Sequence, residues 1–397
     1  MLAQPLPASS VELSGMFDVR AQVDNGERSW TQSGLGKTRF GGDSGSLRLG
    51  QGVLAAETEL TNAVSGYVVL NASDDRRHLV DLQESWLGWN PVPHGPWKWR
   101  AKAGIFFPTL NQEIDYDRLN WTPTRTVSAS AINSWVGEEL KAKGLELSVT
   151  HRGRDSGSPH DMGVTLAAFN GNDPAGSFLA WRGWGVGDRI TGASEGIELA
   201  DLPVYRPDGA INKQAREIHL FRELDQRVGY YVGLNYSYGG VVDLAALHYD
   251  NRGDPLVVKH GQYSWATKFD HIGVRVRAAS GWEWMAQYMA GSTAMGQRAV
   301  VLDYRAWYAL ASHRVGPGLM TVRYDRFLNR DRDQTPLDPN GERGQSVALA
   351  YVLGLSSTVS LVSEVLVVKS TRDARILIGE APHQASNSIT SSLRWQF

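Results

Sequence analysis

Cysteine is absent from the 397 residues of this chain. A disulfide framework, a thiolate metal site, an iron–sulfur cluster and a thiol nucleophile all require that side chain, so the sequence excludes each of them. The ten histidines form no close pair at the spacing of metal ligands. We therefore expect neither a bound metal ion nor a cofactor.

Long apolar runs are missing as well. The best candidate, residues 359–368, contains Ser360, Ser363 and Glu364, whereas a membrane helix needs about 20 apolar residues. Residues 1–10 lack a basic stretch followed by an apolar core, so we interpret the chain as an exported form whose signal peptide has been removed. The negative mean hydropathy still fits a transmembrane β-barrel, because only alternate residues of its strands face lipid.

The chain also lacks an excess of charge of either sign. Forty basic and 42 acidic residues give a net charge of −2, which argues against nucleic acid as a partner. Glycine and amphipathic aromatics are abundant by contrast, with 42 Gly, 14 Trp and 14 Tyr. This composition is typical of a turn-rich β protein whose aromatic side chains collect where water meets apolar surroundings.

Apolar side chains recur at every second position along the chain. In residues 11–24, VELSGMFDVRAQVD, the odd positions are mostly apolar and the even positions mostly polar. A helix repeats its apolar residues every three or four positions, so a period of two predicts a strand. The segment exceeds the usual five or six residues of a globular strand, and it suits a tilted strand that crosses a bilayer in about 9 to 11 residues.

Short turns alternate with long polar segments, which is the arrangement of outer-membrane barrels. An even number of strands brings both chain ends to one rim, and the first and last strands must pair because hydrocarbon offers no partner to an open edge. We predict an all-β, closed antiparallel transmembrane barrel over residues 11–397, behind an N-terminal extension of residues 1–10. Sixteen strands are the alternative to our count of 18, which places strands at residues 11–24, 46–60, 65–73, 79–90, 97–108, 125–139, 144–152, 161–170, 176–188, 226–238, 240–251, 259–278, 282–292, 299–313, 317–329, 344–356, 358–370 and 386–397.

Aromatic residues near the ends of these strands suggest girdles at the two membrane interfaces. The alternative is that they belong to the core of a soluble β protein, although such proteins seldom carry so many long alternating strands. The residues concerned are Trp97, Trp99, Phe106, Phe107, Trp121, Trp181, Tyr304, Tyr324, Trp395 and Phe397.

The chain resembles the outer-membrane porins of Gram-negative bacteria over nearly its whole length. Its last residues, RWQF at 394–397, are similar to the C-terminal aromatic signal of such barrels, with Trp395 and Phe397 as the residues that the barrel-assembly machinery recognises. The segments GIFFP at 104–108 and WVGEE at 135–139 resemble the phosphate-selective porin O/P group. The resemblance implies a non-enzymatic homotrimer in the outer membrane, in contact with its lipid. Each pore would pass small hydrophilic solutes by diffusion and be narrowed by an inward-folded loop.

The phase of the alternation assigns each side chain to lipid or lumen. In residues 97–105, WKWRAKAGI, the apolar positions face lipid, so Lys98, Arg100 and Lys102 form a column that faces inward. A wet lumen solvates three neighbouring cations, whereas a packed core does not. By the same rule, seven acidic residues are predicted to face the lumen: Glu12, Asp18, Asp24, Glu146, Asp303, Asp325 and Glu364. The other inward basic residues are Arg20, Arg48, Arg182, Arg275, Arg277, Arg305, Arg323 and Arg394.

Basic residues outnumber acids on this predicted inner face. Rings of Arg and Lys attract anions in a narrow channel, so we hypothesise a mildly anion-favouring pore. The alternative is that these cations pair with neighbouring acids and only organise water.

Residues 109–121, TLNQEIDYDRLNW, are the candidate constriction loop. Glu113, Asp115 and Asp117 would face the basic wall and set up a transverse field that orients dipolar solutes. An ordinary external loop is the alternative, and residues 187–224 are an equal candidate for folding inward.

Enzymatic motifs find little support. SGLGKT at 33–38 lacks the first glycine of a phosphate-binding loop, and GDSGS at 42–46 has no assignable His and Asp partners. Two alternatives to a porin remain: a structural or adhesive barrel with a plugged lumen, and an outer-membrane hydrolase with a Ser/His/acid set on its outer wall.

Overall fold

In the computed structural model, sixteen antiparallel strands form a closed barrel over the described residues, which are 11–42, 45–108, 110, 112–115 and 122–397, with Asp115 described by its backbone alone. Each strand pairs with its sequence neighbours, and the first pairs with the last. The strands are β1 Val11–Asp24, β2 Ser46–Thr61, β3 Val64–Ala72, β4 Val80–Trp89, β5 Trp97–Phe106, β6 Ala142–His151, β7 His160–Asn170, β8 Gly229–Tyr238, β9 Val242–Asp250, β10 Ala266–Arg277, β11 Glu283–Met295, β12 Val300–Val315, β13 Gly318–Asp331, β14 Glu342–Gly354, β15 Val359–Arg372 and β16 His383–Gln396.

The seam between β1 and β16 closes the barrel. Nine residue pairs form its ladder, from Met16 opposite Gln396 to Asp24 opposite Ser388. Beyond the ladder, the Gly15 N–H donates to the Phe397 carbonyl at 3.0 Å and the Phe397 N–H donates back at 3.1 Å. A Cβ at position 15 would stand 2.4 Å from the Val53 carbonyl oxygen and 2.6 Å from the Phe397 ring, so only glycine fits here. From Gly15 to Asp24 the edge of β1 is therefore paired with β16, as lipid requires.

Two helices replace two of the predicted strands. Residues 125–139 contain α1 (Ala131–Glu139) and residues 176–188 contain α2 (Ser177–Trp181), so the 16-strand alternative is confirmed and the count of 18 is wrong. Ser130 caps α1 by accepting the Asn133 N–H at 3.3 Å. All nine residues of α1 are buried, so no lipid-facing side imposes a period on this segment.

The connections differ sharply between the two rims. Seven short turns join the strands at one rim, at residues 62–63, 90–96, 152–159, 239–241, 278–282, 316–317 and 355–358. Eight connections, most of them longer, lie at the other, at residues 25–45, 73–79, 107–141, 171–228, 251–265, 296–299, 332–341 and 373–382. Because outer-membrane barrels carry their long loops outside the cell, we assign this second rim to the extracellular side.

Short elements lie within these connections. The described residues include 3-10 helices at Trp30–Gln32, Gly153–Ser156, Pro203–Tyr205 and Asp373–Ile378, and three two-stranded ribbons that pair Ile114–Asp115 with Thr122–Pro123, Ile197–Glu198 with Glu217–Ile218, and Val258–Lys259 with Gln262–Tyr263. Within the same residues, no helix has the length and apolar character needed to span a membrane.

The outer wall carries an apolar belt and an aromatic girdle. Exposed apolar side chains follow the middle of the strands, among them Leu166, Val322 and Leu349. Exposed aromatics gather near the short-turn rim, where amphipathic rings prefer the interface: Trp89, Trp97, Trp99, Tyr238, Trp282, Trp284, Trp395 and Phe397. The girdle prediction is therefore confirmed for Trp97, Trp99, Trp395 and Phe397. It is wrong for Phe106, Phe107, Trp181 and Tyr304, which are buried inside the barrel, and Trp121 lies outside the described residues.

The depth of the belt is testable on β7. Leu166 is 49% exposed at mid-strand, so Leu166→Arg should lower the free energy of unfolding by about 2–4 kcal/mol, because a cation costs most at the bilayer midplane. Asn170 ends the same strand on the same face, and Asn170→Arg should cost about 0–1 kcal/mol there. Urea unfolding in lipid vesicles, followed by heat-modifiable gel mobility, measures both variants. Equal costs would contradict the assigned depth.

Candidate functional site

The extracellular loops fold into the barrel and fill much of its interior. Helix α1 brings Trp135 against the rings of Trp184, Phe269 and Tyr304, with centroid distances of 6.0, 5.5 and 5.4 Å. Both Phe269 on β10 and Tyr304 on β12 belong to the barrel wall. One hydrophobic core therefore joins the loops to the wall. We call the buried parts of residues 25–42, 122–141 and 171–228 the plug.

The plug reverses the expected phase on β12. Leu302, Tyr304, Ala306, Tyr308 and Leu310 are buried on the inner face, where they meet the plug. Alternate residues of a strand point to opposite faces. Asp303 and Arg305 therefore lie on the outer wall, and their predicted inward placement is wrong.

Arg323 joins the wall to the plug at the start of α1. Its guanidinium donates to Glu113 and Asp325, both at 2.9 Å, and to the carbonyl oxygens of Ser128 at 2.6 Å and Ala129 at 3.0 Å. The same carboxylates accept backbone N–H groups, since Glu113 binds Ser130 and Asp325 binds Ala131, each at 3.1 Å. Full hydrogen bonding offsets the cost of burying these charges. Arg323 is inward, as predicted, but it holds a loop and does not line water.

A second cluster lies at the seam. Arg20 on β1 binds Asp18 at 2.6 Å and Asp188 of the plug at 2.5 Å, and Arg394 on β16 lies 3.4 Å from Asp18. Arg39 binds Asp188 at 3.1 Å. Burial alone would raise the pKa of Asp188, but Arg20 and Arg39 outweigh it and hold the pKa well below its usual range. Two loops are thereby fastened to the first and last strands.

Further cations predicted to line the pore are paired in the same way. Arg182 follows α2 inside the plug instead of standing on a strand, and it binds Glu138 of α1. At the short-turn side, Arg275 lies 3.3 Å from Glu283 and Arg277 lies 2.7 Å from Asp243. Arg48 is half-buried, with its guanidinium 5.1 Å from the centre of the Phe40 ring.

Glu139 connects the two helices of the plug. Its carboxylate accepts hydrogen bonds from the Trp135 indole N–H, the Ser177 hydroxyl and the Phe178 N–H, the last two at 2.9 Å. Burial raises the pKa of Glu139 to about 7 against these hydrogen bonds. The segment WVGEE is thus the second half of α1 in the plug, and Phe106 and Phe107 of GIFFP pack in the same hydrophobic core from the end of β5.

The interior is more open at the short-turn half of β3 to β7. Lys98, Arg100 and Lys102 share the inner face of β5, where Arg100 is exposed and the two lysines are half-buried. Lys102 lies 3.2 Å from Glu146 on β6, and its ammonium stands 4.5 Å from the Phe106 ring. Half-buried Tyr67 and Trp86 pack together nearby, with ring centroids 4.7 Å apart.

Of the three predicted constriction acids, Glu113 is the one whose side chain the structure describes, and it does not face this column. Glu113 is bound to Arg323, the Asp115 side chain is not described, and Asp117 lies outside the described residues. Two acids that do face the lumen are Glu12 and Glu57, which are opposite each other on β1 and β2 and exposed near the short-turn rim. The period of two on β1 identified Glu12 as an inward residue. It did not identify Glu57, because the register of β2 shifts where Asp18 faces Gln51 and Val19 faces Leu49.

In the described part of the chain, one set of carboxylates converges closely enough to consider a metal ion. It comprises Asp173, Glu223 and Asp225. Asp173 accepts the N–H groups of Leu224 and Asp225, so the cluster anchors the end of the long loop. Burial, with the neighbouring carboxylates, raises the pKa of Asp173 to about 7.

These observations define a closed, sixteen-stranded β-barrel of the outer-membrane type, with an apolar outer belt and an interior partly filled by its own loops. Outer-membrane porins and channels share this fold over nearly the whole chain. The outer membrane channel DcaP of Acinetobacter baumannii has a TM-score of 0.57 at 9% identity, covering 98% of this chain and 97% of DcaP. The anion-selective porin from Comamonas acidovorans has a TM-score of 0.52 at 14% identity, covering 98% and 100%. OprB of Pseudomonas putida has a TM-score of 0.53 at 11% identity, covering 98% and 94%. Neither a family model nor a curated protein matches the sequence.

Removing Arg323 should loosen the plug. Arg323→Met leaves Glu113 and Asp325 buried without their cation, a change that costs about 3–5 kcal/mol. Hydrogen exchange of residues 126–139 should therefore accelerate while the barrel strands stay protected. Arg100→Met, which removes an exposed interior arginine, is the control and should leave this exchange unchanged. Equal protection in all three proteins would contradict the role of Arg323.

Plug docking should weaken as the pH rises. The folded pKa of Glu139, about 7, lies above its ordinary value of 4.5, so its stabilising contribution is complete below about pH 4.5 and is lost as the pH rises through 7. That shift corresponds to a contribution on the order of 3 kcal/mol. The protection factors of residues 131–139, which correct for the base-catalysed intrinsic rate of exchange, should fall between pH 5 and pH 8, and less so in Glu139→Gln. Asp173→Asn measures the contribution of Asp173, whose pKa is also raised to about 7. If the pH profile of Glu139→Gln equals that of the wild type, the assignment of the transition to Glu139 is wrong.

Proposed function

We propose that this barrel is an outer-membrane channel for passive diffusion of small hydrophilic solutes, with an aqueous path beside the plug along β3 to β7. The observation that carries the proposal is the contrast between the two sides of the interior. On the far side, inner residues in the short-turn half of β13 to β15 are buried, as at Thr321, Ala350 and Val362. On the near side, Arg100 is exposed and Tyr67 and Trp86 are half-buried.

Water must reach the near side for a physical reason. Among the described residues, no carboxylate lies within ion-pair distance of Arg100, and its ladder neighbour on β6 is Ser148. An unpaired guanidinium in a dry interior would cost far more than the fold could offset, so solvent has to hydrate it. The aromatic pair Tyr67 and Trp86 gives this path one apolar wall beside the charged one.

We further propose that the path favours anions. Lys98, Arg100 and Lys102 follow one another at about 7 Å along the inner face of β5, so a permeating anion always has a cation within reach. Glu12 and Glu57 occupy a different part of the wall, near the short-turn rim, and moderate the preference. Selectivity for phosphate in particular stays a prediction from the resemblance of the GIFFP and WVGEE segments.

Assembly as a homotrimer, with recognition of Trp395 and Phe397 by the barrel-assembly machinery, also belongs to this proposal. The two rings pack together on the outer wall, with centroids 5.1 Å apart and both side chains about half exposed. An aromatic pair presented at the end of the last strand suits recognition from outside the barrel.

A plugged structural barrel is the second candidate, favoured by the complete burial of α1. A hydrolase finds less support. His248 on the outer wall binds Asp270 at 2.8 Å, but its ladder neighbours are Asp270 and Val232, so the pair lacks an adjacent serine nucleophile.

Planar-bilayer recordings in a KCl gradient test the channel and its selectivity. The wild type should conduct with a reversal potential on the anion side, and Lys98→Glu/Arg100→Glu/Lys102→Glu should move it to the cation side, because three inner charges change sign. Arg305→Glu/Arg326→Glu/Arg343→Glu reverses three charges on the outer wall and should leave the potential unchanged. A folded wild type without conductance would favour the plugged barrel. A cation preference in the wild type would remove the anion proposal alone.

A further inference from the structure

Five basic side chains stand together on the outer wall at the extracellular ends of β12 to β15. We call Arg305, Arg326, Arg330, Arg343 and Lys369 the outer cationic patch; all five are exposed. In the ladder, Arg305 and Arg343 both face Leu328 of β13, and Gln345 of β14 stands between Arg326 and Lys369. Neighbouring strands are about 4.8 Å apart, so the patch spans about 14 Å across the four strands.

The burial of adjacent residues fixes the direction of the patch. Arg326 lies between Asp325 and Phe327, which are buried in the interior, and Lys369 lies between buried Val368 and Ser370. Since successive side chains of a strand alternate between faces, these cations point away from the lumen. They contribute nothing to the pore, and the channel proposal leaves them without a role.

The cations of the patch outnumber the acids beside them. Within the described residues, none of the five side chains has a hydrogen-bond or ion-pair partner. Asp303 faces Arg330 in the ladder, but it is bound by Arg332 at 2.7 Å. Interior arginines such as Arg20 and Arg323, in contrast, each have two carboxylates. Like charges on adjacent strands repel, so an external anion would relieve the repulsion.

The height of the patch indicates where that anion lies. Trp307 faces Arg326 in the ladder and packs on Tyr324 with centroids 5.4 Å apart, so amphipathic rings adjoin the cations. Towards the middle of the strands, Val322, Val347 and Val365 continue the apolar belt. Aromatic rings mark the interface, and lipid-facing arginines are tolerated only near it. The patch therefore lies at headgroup depth on the extracellular side.

We propose that the outer cationic patch binds the phosphate groups of a phosphorylated glycolipid in the outer leaflet. Guanidinium groups bind phosphate oxygens through paired, charge-assisted hydrogen bonds, and several of them within one headgroup's width engage two phosphates. The acyl chains of the same lipid lie against the valines of the belt. This continuity of charge and apolar surface favours a lipid over a free phosphate ion. The inference rests on the barrel fold and holds whether or not the lumen conducts.

Binding of lipid A to the purified barrel in detergent tests the proposal. Native mass spectrometry with bisphosphorylated lipid A should show a bound lipid, and Arg305→Gln/Arg326→Gln/Arg343→Gln should raise its apparent dissociation constant at least tenfold. Arg77→Gln/Arg206→Gln/Arg227→Gln removes three exposed arginines from loops of the same rim and should bind as the wild type does. Arg305→Lys/Arg326→Lys/Arg343→Lys should recover part of the affinity. Heat-modifiable gel mobility confirms that each variant is folded.

Three outcomes would overturn the proposal. The first is equal binding of fully dephosphorylated lipid A, because the phosphates would then be irrelevant. The second is displacement of the lipid by low millimolar inorganic phosphate, which would indicate a site for the free ion. The third is loss of an oligomer in the glutamine variant with lipid affinity unchanged, which would make the patch an interface between copies of this chain.

Discussion

Buried pairs of guanidinium and carboxylate groups hold the loops of this barrel against its inner wall. Arg323 fastens the start of α1 to β13, Arg20 fastens the long loop after β7 to the seam, and Arg182 joins the two helices. Such pairs are tolerated only when nearly every polar atom has a partner. The loops consequently behave as part of the wall.

Contact with lipid made most of the fold predictable from the sequence. On β1 and β16 one face must be apolar, so the period of two is preserved and both ends of the barrel were correctly placed. The same logic fails inside. Residues 131–139 are buried on every side, so apolar and polar residues there follow no period that separates helix from strand. On β12 the plug requires an apolar inner face, which reverses the assignment of Arg305.

The position of the basic column was predictable. Lys98, Arg100 and Lys102 lie together on the inner face of β5, because the apolar outer face of this strand preserves the period of two. Glu113 shows why the packed part was not. Its partner Arg323 is 210 positions away in sequence, and no local pattern indicates which of many inward cations a loop acid meets. Pairing across the lumen depends on how the loops fold, which the strand pattern does not encode.

The seam at Gly15 and Phe397 imposes an order of events on biogenesis. Its hydrogen bonds join β1 to β16, the two barrel strands that lie farthest apart along the chain, so the barrel stays an open sheet until these strands have met. Arg394 meets Asp18 only across that junction, whereas Arg20 reaches both Asp18 and Asp188 from β1 itself. The interior loop that carries Asp188 therefore has both wall cations beside it, Arg20 and Arg394, only once the two strands have paired.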